Sequence, residues 1–229
     1  MATAKKNAVA NRTAPRKSGD GASQNELAYE RLKEGLTTLV YRPGDYLNTA
    51  ALMSDLQLGR TPLNHALHRL ATEGLVQIIP RKGVMVSPLS IDDALHLIDV
   101  RLANESLSAR LGARRITASQ LDALRQAAAA FDQAVAERDV ARTMSCDRQF
   151  HELIADASGN PVLIEVLRVL HARSQRFWAI SLSAPGHLLE VQQEHQMIVA
   201  ALAAGDAEAA VASVEGHILS FRRSLLQER

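Results

Sequence analysis

Residues 58–75 read LGRTPLNHALHRLATEGL, and this stretch decides how the first third of the chain folds. Apolar side chains recur at the i, i+3, i+4, i+7 spacing of a buried helix face, and polar side chains occupy the opposite face. The apolar positions are Leu63, Ala66, Leu67 and Leu70, and the polar positions are Asn64, His65, His68 and Arg69. We therefore predict an amphipathic helix with Thr61 as its N-cap, Pro62 at its first position and Gly74 at its end.

Turn signals on both sides of this helix predict a winged helix-turn-helix. The predicted elements are a helix over 24–39, a break at 42–45, a short helix over 49–56, a tight turn at 57–59 and strands over 75–80 and 84–87. The two strands are joined by Arg81-Lys82-Gly83, a basic hairpin tip. In this arrangement the last helix enters the major groove of DNA, and the hairpin lies against phosphates or the minor groove.

The rest of the chain reads as helices joined by short connections. We predict six of them, over about 90–112, 117–137, 139–158, 161–182, 186–204 and 206–227. Their predicted N-caps are Ser90, Thr117, Asp139, Asn160 and Asp206, and their predicted stops include Gly112, Gly159 and Gly205. The fold class is therefore mainly α: a winged helix-turn-helix over 24–88, then an antiparallel all-α bundle over 89–229. Residues 1–23 are predicted to be a disordered basic arm.

Charge is distributed unevenly along the 229 residues. Residues 1–88 carry 12 Lys and Arg against 7 Asp and Glu, whereas the remainder carries 14 against 18. A basic first part suits contact with DNA, although five of its basic charges lie within residues 1–17 and a solvated tail is the alternative. One cysteine and no apolar run of about 18 residues favour a cytoplasmic protein that does not enter the membrane.

Four side chains in the helical part have the chemistry of metal ligands. Asp147 and His151 are four residues apart and project from one helix face, while His195 and His217 each lie in the middle of a later helix. One carboxylate and three imidazoles suit Zn²⁺, or alternatively Ni²⁺, Fe²⁺ or Mn²⁺, better than Ca²⁺. Spacing alone leaves open that these histidines are scattered surface or core residues.

Several segments resemble successive signature blocks of the GntR family. They are YRPGDYL at 41–47, LGRTPL at 58–63, ALHRL at 66–70, EGLV at 73–76 and RKGVMV at 81–86. The resemblance implies that Arg42, Arg60, Arg69 and the hairpin residues Arg81, Lys82 and Gly83 contact DNA. To these we add the remaining polar positions at the start and on the outer face of the helix, which are Thr61, Asn64, His65 and His68.

The reading helix departs from the family pattern. GntR regulators usually place Ser before the Arg-Thr-Pro run and Arg-Glu after it, whereas this chain has Gly59 and Asn64-His65. Arg matches guanine and Asn matches adenine in the major groove. We therefore expect the operator to differ from the family's usual guanine-containing pattern at the base that faces Asn64.

The helical part resembles the FCD domain of FadR-type GntR regulators. The resemblance rests on VRLANE at 100–105, DRQFH at 147–151, ASGNP at 157–161, EH at 194–195, GD at 205–206 and HI at 217–218. It implies a divalent metal on Asp147, His151, His195 and His217. Arg101 is then a candidate for binding an effector carboxylate beside the metal, or else forms a salt bridge with Glu105. Asn104 and Arg148 are further candidate effector contacts, with solvent exposure as the alternative for Arg148.

These features predict a transcriptional regulator, a repressor, that binds an inverted-repeat DNA operator as a homodimer. A small organic acid bound at the metal site modulates operator binding in this interpretation, and a metal sensor in which the ion itself is the signal is the alternative. We do not expect an enzyme, because the sequence offers no nucleophile motif and no general base beyond the metal ligands.

Overall fold

The computed structural model describes residues 24–181 and 187–227, so the predicted arm over 1–23 lies outside the described residues. The helices are α1 (Gln24–Thr37), α2 (Thr49–Asp55), α3 (Arg60–Thr72), α4 (Ile91–Arg115), α5 (Ala118–Ala136), α6 (Val140–Ala157), α7 (Pro161–Ser181), α8 (His187–Ala204) and α9 (Ala207–Gln227). The strands are β1 (Tyr46–Leu47), β2 (Val76–Ile79) and β3 (Gly83–Val86). Within these ranges, no helix has the length and apolar character needed to cross a membrane.

Helices α1 to α3 and the three strands form a unit that we call the head. Its sheet is antiparallel in the order β1-β3-β2, with Val76 opposite Val86 and Tyr46 opposite Met85. The head has its own apolar cluster, which joins the inner faces of α1 and α3 to the sheet. The predicted hairpin is confirmed. Strand β1 was not predicted, because two residues are too few to show the alternation that marks a strand.

The start of α3 differs from the prediction. The helix begins at Arg60, and Gly59 takes the N-cap position with extended backbone and no side-chain cap bond. The prediction that Thr61 is the N-cap is therefore wrong, because Thr61 is already inside the first turn, where its side chain is exposed. Pro62 remains acceptable there, since the first N–H groups of a helix have no partner within the helix.

Helices α4 to α9 form a second unit, which we call the bundle. The predicted caps are confirmed, for example by the reciprocal bonds of Thr117 and Gln120 at the start of α5. Gly159 and Gly205 follow α6 and α8 with left-handed backbone, as predicted. Gly112 does not end α4, which continues to Arg115. A Cβ at Gly112 would lie 3.6 Å from Ala157 and from Leu202, an ordinary contact distance, so this glycine neither stops the helix nor is required by the packing around it.

The bundle closes on itself and touches the head through one helix in particular. Its last helix, α9, packs on both α4 and α8, while α5 packs on α6. Helix α7 also packs on α1, and its Ala172 is buried in the apolar cluster of the head. The side chains of α7 therefore belong partly to the bundle core and partly to the head.

Candidate nucleic-acid interface and candidate metal centre

Helix α3 presents a polar surface because its apolar side chains are all used to pack the head. Leu63, Ala66, Leu67 and Leu70 are buried against α1 and the sheet. The predicted reading residues on the other face are exposed, and these are Arg60, Thr61, Asn64, His65 and His68. Their donors and acceptors are therefore available to base edges or phosphates.

Arg69 is different from the other predicted DNA contacts. Its Nη1 lies 2.9 Å from Oε2 of Glu26, its Nε lies 3.4 Å from Oε1 of Glu73, and its guanidinium carbon lies 3.4 Å from the ring centre of Tyr29. The Tyr29 hydroxyl in turn donates to Glu73 at 2.9 Å. Burial and this hydrogen bond raise the pKa of Tyr29. Arg69 therefore ties α3 to α1, and its contact with DNA stays a prediction.

The hairpin and the turn before β1 supply further basic groups. Arg81, Lys82 and Gly83 are exposed at the tip between β2 and β3, where Arg81 has φ of 65° and Gly83 has φ of 103°. Arg42 is exposed in the turn that precedes β1. That turn is fixed to β3, because the N–H of Gly44 donates to the carbonyl of Val86 at 3.0 Å. All the predicted DNA-contacting side chains except that of Arg69 thus lie on the exposed surface of the head.

The four predicted metal ligands converge inside the bundle. The Nε2 atoms of His151 and His217 are 3.2 Å apart. Oδ1 of Asp147 lies 3.8 Å from Nε2 of His151 and 3.5 Å from Nε2 of His195. One ring nitrogen of each histidine lies within 4.8 Å of the others. Side chains from α6, α8 and α9, far apart in sequence, therefore form one cluster.

Two buried glutamates orient the imidazoles. Oε2 of Glu194 lies 2.8 Å from Nδ1 of His217, and Oε2 of Glu105 lies 3.5 Å from Nδ1 of His151. Burial alone would raise the pKa of Glu194, but the hydrogen bond and charge of His217, together with Ser220 and His187, lower this pKa. An ionised carboxylate only accepts, so Nδ1 of His217 donates, and in the neutral ring Nε2 carries a lone pair. This is the arrangement by which carboxylates fix metal-binding histidines.

The electrostatics of the cluster favour a cation. Burial lowers the pKa of His151, and burial together with the neighbouring His217 and His151 holds the pKa of His195 well below its usual value. The rings of His151 and His195 are therefore neutral at pH 7, the form that binds metals. The 3.2 Å contact between the Nε2 atoms of His151 and His217 needs a proton on one of the two nitrogens or a cation between them.

His195 gives the clearest test of whether a metal fits. The ring is fully buried, stacks on Phe150 with ring centres 3.9 Å apart, and meets the edge of Phe131 at 4.8 Å. Neither of its nitrogens has a hydrogen-bond partner among the described residues. Since buried polar groups without partners are rare and costly, a ligand to the ring is the expected partner. Three imidazoles and one carboxylate fit Zn²⁺, Ni²⁺, Fe²⁺ or Mn²⁺.

A cavity of about 40 Å³ adjoins this cluster. Besides Asp147, His151 and His217, its lining consists of Arg101, Arg148, His171, Ser174, Gln175, Trp178, His187 and Phe221. A water needs about 10–15 Å³ of such space, so the cavity has room for a small molecule. Its lining combines polar groups with the aromatic rings of Trp178 and Phe221, which suits a short organic ligand.

Arg101 combines the two alternatives that the sequence left open, a place beside the candidate effector site and a salt bridge with Glu105. It lines the cavity, and its Nε lies 2.6 Å from Oε1 of Glu105 while Nη1 donates to Ser174 at 2.7 Å. Burial favours the neutral form of Glu105, but Arg101 and the nearby His171 and His151 hold the pKa of Glu105 well below its usual value. Arg101 and Glu105 are therefore a buried ion pair at the edge of the cavity.

The other two predicted effector contacts differ from each other. Arg148 lines the cavity. Asn104 is not among the lining residues, and its amide nitrogen instead donates to the carbonyl of Val100 at 2.8 Å. It lies beside the buried stripe of Arg101 and Glu105 on α4, so the structure does not bring it to the cavity. Residues that the sequence analysis missed, His171, Ser174, Gln175 and His187, line the cavity instead.

The comparisons with known proteins agree with this architecture. The family described as "Bacterial regulatory proteins, gntR family" matches residues 24–86, and the family described as "FCD domain" matches residues 96–220, more than half of the chain. The chain belongs to the GntR family. It is a transcriptional regulator with a DNA-binding helix-turn-helix and an FCD effector domain, and the resemblance seen in the sequence is confirmed.

Curated relatives of this GntR regulator are also transcriptional regulators. The HTH-type transcriptional repressor RspR of Escherichia coli K12 is 26% identical over 208 residues, which cover 90% of each chain. The Nta operon transcriptional regulator of Aminobacter aminovorans is 29% identical over 133 residues. That alignment covers 58% of this chain and 63% of the relative, so this chain matches less than two thirds of the length of the Nta regulator.

Solved structures share the fold of this GntR regulator. McbR/YncC of E. coli superimposes with a TM-score of 0.83 at 22% identity, covering 91% of this chain and 99% of that one. A putative GntR regulator from Rhodococcus sp. RHA1 superimposes with a TM-score of 0.76 at 21% identity, covering 91% and 100%. The predicted fold class, a winged helix-turn-helix followed by a helical bundle, is confirmed.

Proposed function

We propose that this regulator represses transcription by binding an operator through its head, and that a small organic acid bound beside a divalent metal in the bundle alters operator binding. One observation carries the metal and effector part: His195 clusters with Asp147, His151 and His217, and these three line a cavity together with Arg101. When bound, the metal supplies a Lewis-acidic position that attracts a carboxylate. Repression is proposed because RspR is described as a repressor.

The side chains of the cavity divide the work of binding an acid. The guanidinium of Arg101, held by Glu105 and Ser174, offers charge-assisted hydrogen bonds in a fixed direction. Trp178 and Phe221 exclude water from the carbon chain. Glu105 and Glu194 keep the imidazoles of His151 and His217 in position, so that metal and acid bind to a prepared site.

Helix α7 is the proposed route from the cavity to the head. Its Ser174, Gln175 and Trp178 line the cavity, whereas Ala172 packs in the head and a guanidinium N–H of Arg176 donates to the carbonyl of Ser87. A ligand that shifts or stiffens α7 therefore changes the contacts of the head. The acid acts by its difference in affinity between two arrangements, and only by that difference.

The α7 route is tested with Arg176→Met, which removes the bond to Ser87 and keeps an apolar stem. We expect the variant to bind the acid alone, and the operator alone, with wild-type affinity. The acid-induced change in operator affinity should fall severalfold. Operator titrations with and without acid measure this. An unchanged ratio of the two affinities contradicts the route.

For the DNA part, we propose a homodimer on an inverted repeat, with Asn64 facing an adenine. Two heads related by a two-fold axis match such an operator. Exposed apolar side chains on α4, such as Val100 and Leu107, are available to a second copy. Selection of binding sites from random DNA tests the base assignment: Asn64→Ala is expected to lose the preference at one position of each half-site. A guanine preference that is insensitive to this substitution contradicts it.

The decisive experiment for the whole proposal is a thermal-shift screen of small organic acids on the full chain, with Zn²⁺ added or with a chelator. We expect metal to raise the Tm, and an acid to raise it further only when metal is present. Operator titrations then separate the two candidate signals. If operator binding responds to metal in the physiological range without any acid, the chain is a metal sensor instead.

A further inference from the structure

A second cavity, which we call the junction cleft, lies where the head meets the bundle. Its volume is about 250 Å³, and its walls come from the end of α3, the start of β2, residues 87–89, the first turn of α4 and one side of α7. It shares no lining residue with the cavity beside the candidate metal ligands. A ligand in the junction cleft would therefore touch both units of the chain at once.

Two arginines of α7, Arg173 and Arg176, line the junction cleft. They are three residues apart, so they project from the same side of the helix. Arg176 is 2% exposed, and one of its guanidinium N–H groups donates to the carbonyl of Ser87. Its Nε has no hydrogen-bond partner among the described residues. The cleft thus contains a buried guanidinium that is only partly satisfied by the protein.

Arg173 completes the pair from the exposed side. Its side chain is exposed and passes over Gly74, where an added Cβ would lie 3.7 Å from the guanidinium carbon. Neither Arg173 nor Arg176 forms an ion pair within the ranges 24–181 and 187–227. Asp93, the carboxylate in the lining, is exposed in the first turn of α4, where its backbone N–H is capped by Ser90.

The electrostatics of the junction cleft favour an anion. Burial, and after it the charge of Arg173, lower the pKa of Arg176 to about 10, so both groups are still charged at pH 7. Like charges three residues apart on a helix repel, and a buried cation without a counter-ion is costly. Since the described part of the chain supplies no counter-ion, an anion from solution is the expected partner.

The location of the junction cleft favours a small anion over the DNA backbone. Helix-turn-helix proteins contact bases with the first residues of the reading helix. Ala71, which lines the cleft, comes eleven residues after Arg60, and this separation corresponds to roughly 16 Å along a helix axis. The cleft is therefore at the opposite end of α3 from the residues proposed to read the operator.

We propose that Arg173 and Arg176 bind a phosphate group in the junction cleft, either inorganic phosphate or the phosphate of a small monoester. Two guanidiniums match a doubly charged oxyanion, because each offers N–H donors in a fixed fork. Leu89 and Phe177 provide apolar contacts for the carbon part of a monoester. The bound group links α7 to the head, so it favours the arrangement in which the cleft is formed. This site needs neither the metal nor the acid of the proposed function.

The test is calorimetric titration of the full chain with inorganic phosphate and, separately, with phenyl phosphate, in chloride buffer at constant ionic strength. The main variant is Arg173→Met, which removes one charge and keeps an apolar stem. The matched control is Arg222→Met, which removes the charge of an exposed arginine on α9. A second variant, Arg176→Lys, keeps the buried charge but loses the fork of N–H donors.

We expect at least one of the two ligands to bind the wild type, and its affinity to fall about tenfold or more in Arg173→Met, as for the loss of hydrogen bonds to a charged group. Arg176→Lys should also bind more weakly, while Arg222→Met binds as the wild type does. Tighter binding of phenyl phosphate identifies a monoester as the ligand, and tighter binding of inorganic phosphate identifies the free ion. The inference is overturned if neither ligand binds the wild type, or if Arg173→Met binds both as the wild type does.

A second measurement uses phosphate-free buffer. Because Arg173 repels Arg176, Arg173→Met should leave the Tm unchanged or raise it. A lower Tm means that groups of the protein already neutralise Arg173, and it overturns the inference. Operator titration in the same buffer tests the DNA backbone as the alternative partner. If Arg173→Met lowers operator affinity there while Arg222→Met does not, Arg173 contacts DNA and the inference is wrong.

Discussion

In the head, the candidate functional side chains lie outside the apolar core, whereas in the bundle they lie inside it. In the head, Leu63 and Leu67 fill the interior while Asn64 and His65 on the same helix face outward. In the bundle, His195 is itself part of the interior, packed between Phe131 and Phe150. If the proposed function holds, function and stability are separate properties in α3, whereas the same side chains determine both at the candidate metal centre. Substitutions on the exposed face of α3 should therefore change function without changing stability, whereas substitutions at the candidate metal centre should change both.

The largest expected effect comes from Arg101→Met in the bundle. The substitution leaves the charge of Glu105 buried without its main partner, and breaking a buried ion pair in this way costs about 3–5 kcal/mol of unfolding free energy. Denaturant unfolding of the protein without metal measures this cost. The double variant Arg101→Met/Glu105→Gln removes both charges and should recover part of the loss. Equal unfolding free energies for the wild type and Arg101→Met contradict the ion pair.

The second effect concerns the metal-dependent part of stability. Zn²⁺ at about 100 times its Kd stabilises a protein by about 2.7 kcal/mol, which for a chain of this size is a rise in Tm of roughly 5–10 °C. We expect His195→Ala and His217→Ala to abolish this rise, whereas His96→Ala keeps it. Both ligand variants should still bind operator DNA. A full Zn²⁺-dependent rise in His195→Ala shows that the ligand assignment is wrong.

The sequence predicted the parts of each region that depend on neighbouring residues. The reciprocal cap of Thr117 and Gln120 is local, and so is the pairing of Asp147 with His151 on one helix face. Their positions follow from helix geometry alone. His195 and His217 were candidates by their chemistry, but grouping them with Asp147 and His151 in one predicted site needed the resemblance to the FCD domain, because no spacing relates residues on different helices.

The features that the sequence analysis missed depend on how the helices pack together. Glu194 was quoted only as part of a motif, and its bond to His217 exists because α8 and α9 lie side by side. His171 and His187 line the cavity for the same reason. Gly112 was wrongly predicted to end α4, since a glycine inside a helix and one that stops a helix look alike in sequence. The head had fewer such errors because its functional surface comes from one helix and one hairpin.

Arg60 lies on the exposed face of α3. Arg60→Ala removes a guanidinium that faces solvent at the start of α3, so we expect operator affinity to fall about 5- to 150-fold, the range for one base-reading or phosphate-binding arginine. The Tm should stay within about 1 °C of the wild type, because the side chain is exposed. Operator titration and thermal unfolding of the same preparation measure both quantities. A clear loss of Tm would mean that α3 does not separate function from stability.

Arg69 is the residue in the head that is both a predicted DNA contact and part of the packing between α1 and α3. Its guanidinium stacks on Tyr29 and pairs with Glu26 and Glu73, so Arg69→Ala is expected to cost about 1–2 kcal/mol of unfolding free energy. Arg69→Lys keeps the charge but loses the flat stacking, so its unfolding free energy should lie between those of the wild type and Arg69→Ala. If Arg69→Ala unfolds like the wild type yet loses operator affinity as Arg60→Ala does, then Arg69 leaves Tyr29 to reach DNA.

The smallest expected effect lies at the hairpin tip, where Arg81 adopts φ of 65°. Non-glycine residues rarely adopt this left-handed conformation, and the strain is tolerated here at a position proposed to contact phosphate. In Arg81→Gly the strain is relieved while the charge is lost. We expect operator affinity to fall severalfold, with the slope of log affinity against log salt concentration reduced by about 0.9. The unfolding free energy should rise by up to about 1 kcal/mol.

Arg81→Ala separates the two effects of that substitution, because alanine loses the charge but keeps a side chain in the strained conformation. The alanine and glycine variants should therefore bind operator equally, while only the glycine variant gains stability. If Arg81→Ala keeps wild-type affinity and the wild-type salt slope, the hairpin tip does not touch phosphate, and the functional surface of the head shrinks to α3. If the two variants differ in affinity, the backbone of the tip and not its charge contacts DNA. Arg81 would then act on DNA binding through the backbone conformation of the hairpin, so that in this part of the head, as in the bundle, function and fold depend on the same residue.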